Sequence, residues 1–495
     1  MKTPLQDASN LSVWPFDVIV VGSGIAGTDI ADFLSSRGWR VCVVESGGDD
    51  IEEKYLALNN VVMLGRPHRE RNPEGDYQAS VPDWLRGLNR VRAVGGTSAL
   101  WTGKHSRFLP EDFEGQNPDS RSAWPIHYEE LSPHYEAIER DYLNASLDAD
   151  STPRSIRKRN QIAAAHGLSL RTMFWDSEPL RAGPIITKAA RTRKNLVLLT
   201  DATVTSLILD GAGEQITGVQ VNGLLGHRTE IRAPRVVLAG GALENTRLLL
   251  LTAKQLPKSS LAKSRSLGKF YQDHLKHQTT TLVPGPKISH WSSVLARTPR
   301  PRFGVFFQLD HQTVSSLGIN NAFLYLKPVT TQSRGRLVRR RNSLRYGVKI
   351  ALEQEPNPAS ELRLARTRDV FGVPELEMDW QTLPIDERTL SESIRLFGEG
   401  LRGLGIGSLS SALARISLDD MTDSSHPMGT CRMSHYPEAG VVDPNLEVHG
   451  VRGLFVTGGA VFPRGPNYSP TLTILALARR LAVFLHNQRG EGACV

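Results

Sequence analysis

Three glycines supply the first chemical signal in this chain. Gly22-Ser-Gly24-Ile-Ala-Gly27 follows an apolar, strand-like run, Asp17-Val-Ile-Val-Val21, and leads into a segment with Ile30, Ala31, Phe33 and Leu34 at helical spacing. Glycines in this pattern allow a tight turn and a close approach of backbone to a pyrophosphate. The helix that follows offers its free N–H groups and positive end to the phosphates, here from Ile25 and Ala26 onward. Glu45 ends the next strand-like run, 18 residues past Gly27, with Ser46 beside it. Its carboxylate can accept hydrogen bonds from a ribose. Strand, glycines, helix, strand and acid in this order predict a dinucleotide site. The glycines alone do not separate FAD from NAD.

Acid–base chemistry is harder to place. Imidazole suits proton transfer because its pKa lies near operating pH, but the chain holds 14 histidines, so a lone one carries little weight. His274 and His277 would share a helix face and could bind a metal if that segment were helical. No third ligand follows, so a structural role is expected and no metal is predicted. Cys42, Cys431 and Cys494 are far apart. With no disulfide ladder and no CxxC, a reducing, cytoplasmic compartment is expected.

The elements that must carry these groups follow from length and pattern. The chain has 495 residues, enough for two or three domains or one large fold with an insertion. Composition excludes disorder, collagen and coiled coil. The net charge is +8, from 59 basic and 51 acidic residues. Arg334, Arg336, Arg339, Arg340, Arg341 and Arg345 fall in one stretch without an acid and supply +6 of it. The surplus is therefore a local patch and not a nucleic-acid footprint. The N-terminal residues show no signal peptide, and no stretch of about 18 apolar residues could span a bilayer.

Helices are expected over Thr28–Ser36, Leu243–Leu251 and Asp386–Leu401, the last with Gly403 just past its end. A final helix is expected from about Pro470. Strands are expected at Val236–Leu238, Phe303–Phe307, Tyr346–Ile350 and Gly453–Thr457. Residues 48–90 read as loops, and 105–190 as short helices and turns. The pattern is a nucleotide-binding α/β fold interrupted by a largely antiparallel sheet domain.

Several further segments select the cofactor. They are Arg90-Val-Arg-Ala-Val-Gly-Gly-Thr-Ser98, Trp124-Pro-Ile-His-Tyr-Glu-Glu-Leu131, Gly240-Gly-Ala-Leu-Glu-Asn-Thr-Arg-Leu-Leu249, Gly268-Lys-Phe-Tyr-Gln-Asp-His274 and Glu353-Gln-Glu-Pro-Asn-Pro358. Near the C-terminus come Ser424-Ser-His-Pro-Met-Gly-Thr-Cys-Arg-Met433, Gly440-Val-Val-Asp443, Gly453-Leu-Phe-Val-Thr-Gly-Gly-Ala-Val-Phe-Pro463 and Ser469-Pro-Thr-Leu-Thr-Ile474. In this order, from about residue 17 to 480, they resemble the glucose–methanol–choline (GMC) oxidoreductases. The compact size and motif variants look more like bacterial members than secreted fungal ones.

The resemblance implies an α/β fold with a Rossmann-like FAD domain split in sequence and an inserted antiparallel-sheet substrate domain. The FAD domain would take residues 14–60, 88–110, 190–285 and 430–495, and the substrate domain 111–189 and 286–429. Arg92, Gly95, Gly96, Thr97, Ala239, Gly240, Gly459, Ala460, Pro470 and Thr471 would join the first glycine loop around FAD. Thr102 would sit beside flavin N5. Pyranose oxidases bind FAD covalently through a Ser-x-His-Trp-Thr pattern. Here Leu100 takes the histidine's place, so FAD is expected to be non-covalent, with His105 the only nearby alternative.

The resemblance also implies alcohol oxidation: a base takes the hydroxyl proton while hydride passes to flavin N5. His426 stands in the base position. The family's second His or Asn is replaced by Ser469, so either Ser469 or Asn467 supplies the other polar contact. Ser469 also reads as the N-cap of the last helix, with Pro470 at N1. That helix would point its positive end at the flavin and favour the reduced, anionic form, by about 0.3–2 kcal/mol. A sugar, glycoside or hydroxylated natural product is the expected small-molecule substrate, with O2, a quinone or a redox protein as acceptor. The oligomeric state is left open. The alternative is a non-redox, FAD-containing lyase of the same fold, like the hydroxynitrile lyases.

Overall fold

The computed structural model describes residues 1–8, 14–66, 89–114, 123–143, 147, 154–175, 178–295, 302–329 and 345–491. A six-stranded parallel sheet forms the base. Its strands run in the order Lys2–Pro4, Leu196–Thr200, Val41–Val44, Val18–Val21, Val236–Leu238, Leu454–Val456. The central strands are continuous apolar runs because both faces are covered, as parallel sheets require. Helix Ile25–Ser35 packs over the sheet against helix Thr471–Glu491. Successive strands depart to opposite sides of Val18–Val21. The loops after Val21 and Leu238 therefore meet at a switch point above the C-terminal strand ends, where open α/β sheets bind ligands.

A seven-stranded antiparallel sheet stands beside this layer. Its order is Gly407–Leu409, Leu275–Pro284, Arg345–Leu352, Ala322–Val329, Arg302–Leu309, Leu168–Trp175, Lys104–His105. Two three-stranded sheets complete the fold. One holds Arg228–Arg232, Ile216–Asn222 and Thr203–Leu209. The other holds Glu361–Arg368, Pro374–Asp379 and Val61–Met63.

Several elements differ from the sequence pattern. The loop-like region 48–90 contributes the strand Val61–Met63, which pairs in parallel with Pro374–Asp379. Leu168–Trp175, within the region read as helices and turns, is an inner strand of the large sheet. Both depend on partners more than sixty residues away, which local periodicity does not reveal. The helix expected at Asp386–Leu401 runs Pro384–Gly403, because Pro384 opens it and Asp386 accepts the Leu383 N–H at 2.7 Å. Gly405, with φ +68°, takes the left-handed turn instead of Gly403. His274 and His277 lie on extended chain, where an odd spacing puts side chains on opposite faces, so no shared metal face forms. Arg334, Arg336, Arg339, Arg340 and Arg341 and the side chain of Arg345 lie outside the described residues, as does Cys494. Among the described residues, no helix is long and apolar enough to cross a membrane.

Candidate active site

A cleft of about 490 Å³ opens above the C-terminal ends of the parallel strands and runs under the large antiparallel sheet. The glycine loop forms one end. Gly22 holds φ +99°, and a Cβ there would lie 2.7 Å from the Ala239 carbonyl oxygen. A Cβ on Gly27 would lie 2.0 Å from the Gly22 oxygen. These two glycines close the turn and bring the two strand-end loops together. Gly24, in contrast, has nothing within 4 Å of a Cβ position and faces the cleft. It precedes the first turn of helix Ile25–Ser35, which has no side-chain cap.

Glu45 is 5% exposed and anchors the turn while lining the cleft. Its Oε2 accepts from the Ser23 N–H at 3.0 Å and from Ser23 Oγ at 2.6 Å. Its Oε1 accepts from the Gly47 N–H at 3.1 Å, leaving acceptor capacity on that oxygen. Burial raises its pKa, against the bonds from Ser23 and Gly47. Arg92 donates to Ser46 Oγ and Asn59 Oδ1, each at 2.8 Å, and pairs with Glu244 at 2.9 Å. Burial works to raise the Glu244 pKa, but Arg92, Arg247 and Arg90 hold it down to about 2. Asn59, Asn89 and Val204 line the cleft without having been assigned from the sequence, as does Glu244, which lies inside the Gly240–Leu249 segment. Asn59, Asn89 and Val204 are scattered along the chain and belong to no short motif.

Of the residues assigned from sequence, Gly22, Gly24, Ile25, Ala26, Glu45, Ser46, Arg92, Gly96, Thr97, Thr102, Ala239, Gly240, Gly459, Pro470 and Thr471 line the cleft, as do His426, Asn467 and Ser469. Gly27, Gly95 and Ala460 stand behind it. Gly27 closes the turn. The Gly95 N–H donates to Ser23 Oγ at 2.9 Å, and Ala460 is wholly buried. Leu100 lines the cleft where a histidine would be needed for a covalent link. The His105 ring is wholly buried, edge-on to Trp101 with centroids 5.0 Å apart, and does not line it.

His426 sits at the other end. Its loop is clamped to the chain at 272–276 by two pairs of antiparallel backbone bonds. Gln272 exchanges them with Met428 at 3.0 and 2.9 Å, and Lys276 with Thr422 at 2.8 Å each. Between these clamps the loop has five residues against three, so it bulges towards the cleft. Ser425, at φ +62°, turns the bulge, and its Oγ donates to Asn89 Oδ1 at 2.6 Å. Asp273, fully buried, sits inside it. Its Oδ2 accepts from the His426 N–H at 2.9 Å, and its Oδ1 from the Ser424 N–H at 3.0 Å and the His274 N–H at 2.6 Å. The Asp273 N–H donates to Gln354 Oε1, which also accepts from Trp380 Nε1.

His274 Nδ1 and His426 Nδ1 lie 3.0 Å apart, so one ring donates and the other accepts. Burial holds the His426 pKa well below the ordinary imidazole value, assisted by His274, Lys276, Lys349 and Lys104. The ring is only partly exposed because one side opens on the cleft. Ser469 Oγ donates to the Lys104 carbonyl at 3.1 Å, which ties its proton to the backbone. Asn467 is wholly buried, and its Oδ1 takes no hydrogen bond.

This donor set fits a flavin dinucleotide. An uncapped helix N-terminus suits pyrophosphate, a buried carboxylate with a free acceptor site suits ribose, and backbone at Gly458–Gly459 and Pro470–Thr471 borders the end that carries His426. Fold and site together define an FAD-dependent oxidoreductase acting on CH–OH groups. Residues 185–276 and 356–478 match two family profiles, both described as GMC oxidoreductase. The 6'''-hydroxyparomomycin C oxidase of Streptomyces lividus is 26% identical, covering 94% of this chain and 90% of its own. The paromamine 6'-oxidase of Streptomyces fradiae is 24% identical, covering 95% and 91%. The crystal structure of pyridoxine 4-oxidase from Mesorbium loti shares the fold, with a TM-score of 0.61 at 20% identity over 95% of this chain and 99% of that one. The chain belongs to the GMC oxidoreductases.

Proposed function

We propose that this enzyme oxidises a secondary or primary carbinol of a sugar, glycoside or hydroxylated natural product to the ketone or aldehyde, with His426 as the base. The observation that carries this reading is the His426 imidazole, held by a clamped loop at the cleft edge and kept neutral by its surroundings. FAD, when bound, supplies the hydride acceptor. His426 takes the hydroxyl proton as the carbinol hydrogen departs, so alkoxide character never has to build up unaided. The names of the two relatives support a hydroxylated small molecule as substrate.

Asn467 is the second polar contact in this reading. Its buried amide has an unused oxygen, whereas the Ser469 proton is already given to Lys104. Cofactor residues carry over from the cleft lining, and Leu100 makes FAD binding non-covalent. The parallel layer with its flanking helices takes FAD, and the seven-stranded sheet faces substrate. The electron acceptor is O2, a quinone or a redox protein.

An anaerobic panel of sugars, glycosides and simple alcohols, followed by flavin absorbance, tests the activity. At least one alcohol is expected to bleach the flavin. His426→Ala is expected to slow bleaching by about 10²–10⁴-fold with FAD retained, and Asn467→Ala to slow it more than Ser469→Ala. Wild-type bleaching by His426→Ala would reject the mechanism.

A further inference from the structure

We propose that His274 is a positioning residue that fixes the tautomer of His426, accepting its Nδ1–H so that Nε2 carries the lone pair that takes the substrate proton. This rests on the reading of His426 as the base.

The two Nδ1 atoms lie 3.0 Å apart. A neutral imidazole has one N–H and one lone pair, so this contact can run in only two directions. If His274 donates, His426 holds its proton on Nε2 and that nitrogen cannot accept another. If His274 accepts, His426 Nδ1 carries the proton and Nε2 is a base. The second partner of His274 decides between them.

That ring is 2% exposed. Its Nδ1 is occupied by His426, and the backbone acceptor beside it is the Pro466 carbonyl, left to Nε2. Nε2 is buried and has no hydrogen-bond partner at full bonding distance and angle. A lone pair there would face the carbonyl's lone pairs. A proton there would be drawn towards that carbonyl. Nε2–H is therefore the favoured tautomer of His274, which leaves Nδ1 to accept.

His274 also stays neutral. Burial, with Lys349 and Lys276 nearby, lowers its pKa to about 3, so it keeps the lone pair that His426 needs. The arrangement survives proton uptake, because an imidazolium at His426 still donates Nδ1–H to the same acceptor. Asp273 fixes the backbone on both sides of the contact, accepting from the N–H of His274 and of His426. The rings meet at 77°, with centroids 5.1 Å apart, so neither can slide over the other. An orienting acceptor behind a catalytic imidazole is usually a carboxylate. Here a neutral ring takes that place, while the nearby Asp273 carboxylate bonds the backbone N–H of His426 and not its ring.

The test uses the holoenzyme and two substitutions. His274→Leu removes the acceptor at similar bulk. His274→Asn keeps one, since Asn Oδ1 falls near the position of Nδ1. Flavin reduction is followed anaerobically with whichever panel alcohol bleaches the wild type fastest. The expected result is a fall of at least about 100-fold in the reduction rate constant for His274→Leu. Apparent substrate affinity and FAD content stay near wild type, and His274→Asn recovers to within about tenfold. Wild-type rates in His274→Leu would overturn the proposal, as would equal losses in both variants.

His426→Ala is run alongside. A slow His426→Ala with a fast His274→Leu rejects only the role of His274. A fast His426→Ala rejects the base, and the positioning role with it. Should His274→Leu fail to fold or lose FAD, the ¹⁵N resonances of His426 in the wild-type holoenzyme decide. A protonated Nδ1 with an unprotonated Nε2 supports the assignment, and the reverse overturns it.

Discussion

Replacing Asp273 by Asn probes how firmly the catalytic loop is held. The carboxylate is wholly buried and accepts three backbone N–H groups, from His274, Ser424 and His426. Asn keeps the shape but has only one oxygen. If that oxygen serves Ser424 and His274, the new NH₂ group meets the His426 N–H donor to donor. The opposite rotamer rescues His426 and abandons the other two. Hydrogen bonds to a charged acceptor contribute about 1.5–3 kcal/mol, against about 0.5–1.5 for neutral ones, and a stranded buried donor costs about 1–3.

The lost bond and the weakening of the survivors together amount to about 3 kcal/mol. That energy favours conformers in which the bulge leaves the cleft edge. At about 1.4 kcal/mol per power of ten, the competent population falls by about 100-fold. The assay is anaerobic stopped-flow reduction of the bound flavin, with FAD content read from the visible absorbance. The nucleotide end should be spared, since the three N–H groups that Asp273 accepts belong to His274, Ser424 and His426, so FAD content should stay within about 20% of wild type. Reduction within twofold of wild type, with flavin fully bound, would refute the view that this carboxylate holds His426 in place.

Four other outcomes follow from the same geometry. Gly27→Ala should abolish FAD retention, because its Cβ would lie 2.0 Å from the Gly22 oxygen, and the purified protein should be colourless. The pH profile should show an unusually acidic limb. A base whose pKa is lowered keeps its lone pair below the ordinary imidazole value of about 6.5, so the reduction rate should stay flat through that pH and fall only further down. Lys349→Gln removes one of the cations facing His426, alongside Lys276, Lys104 and the neutral His274, and should move that limb to higher pH. Heat or acid should release all the yellow colour from the protein, since Leu100 offers no atom for a bond and the His105 ring is buried against Trp101. Flavin fluorescence that stays with the denatured chain would contradict this.

The nucleotide-binding unit was readable along the chain because its parts are local. The turn at Gly22–Gly27, the helix it starts and the carboxylate of Glu45 lie within one strand–helix–strand unit, and hydrogen bonds between near neighbours set their geometry. The C-terminal segments put His426 and Ser469 at the cleft for a similar reason, since each sits in a short motif, and Asn467 follows from lying two residues before Ser469. Contacts across long separations were not readable. His274 and His426 meet over 152 residues, and their register comes from the clamps Gln272–Met428 and Lys276–Thr422. Glu244 reaches Arg92 across 152 residues, a pairing that no local pattern specifies. The Ser469 proton is directed to Lys104, a choice made by the edge strand of another sheet. Residue order sets which groups can form local turns and caps. Strand register over long distances sets which of those groups face one another, and here it decides which imidazole supports the other.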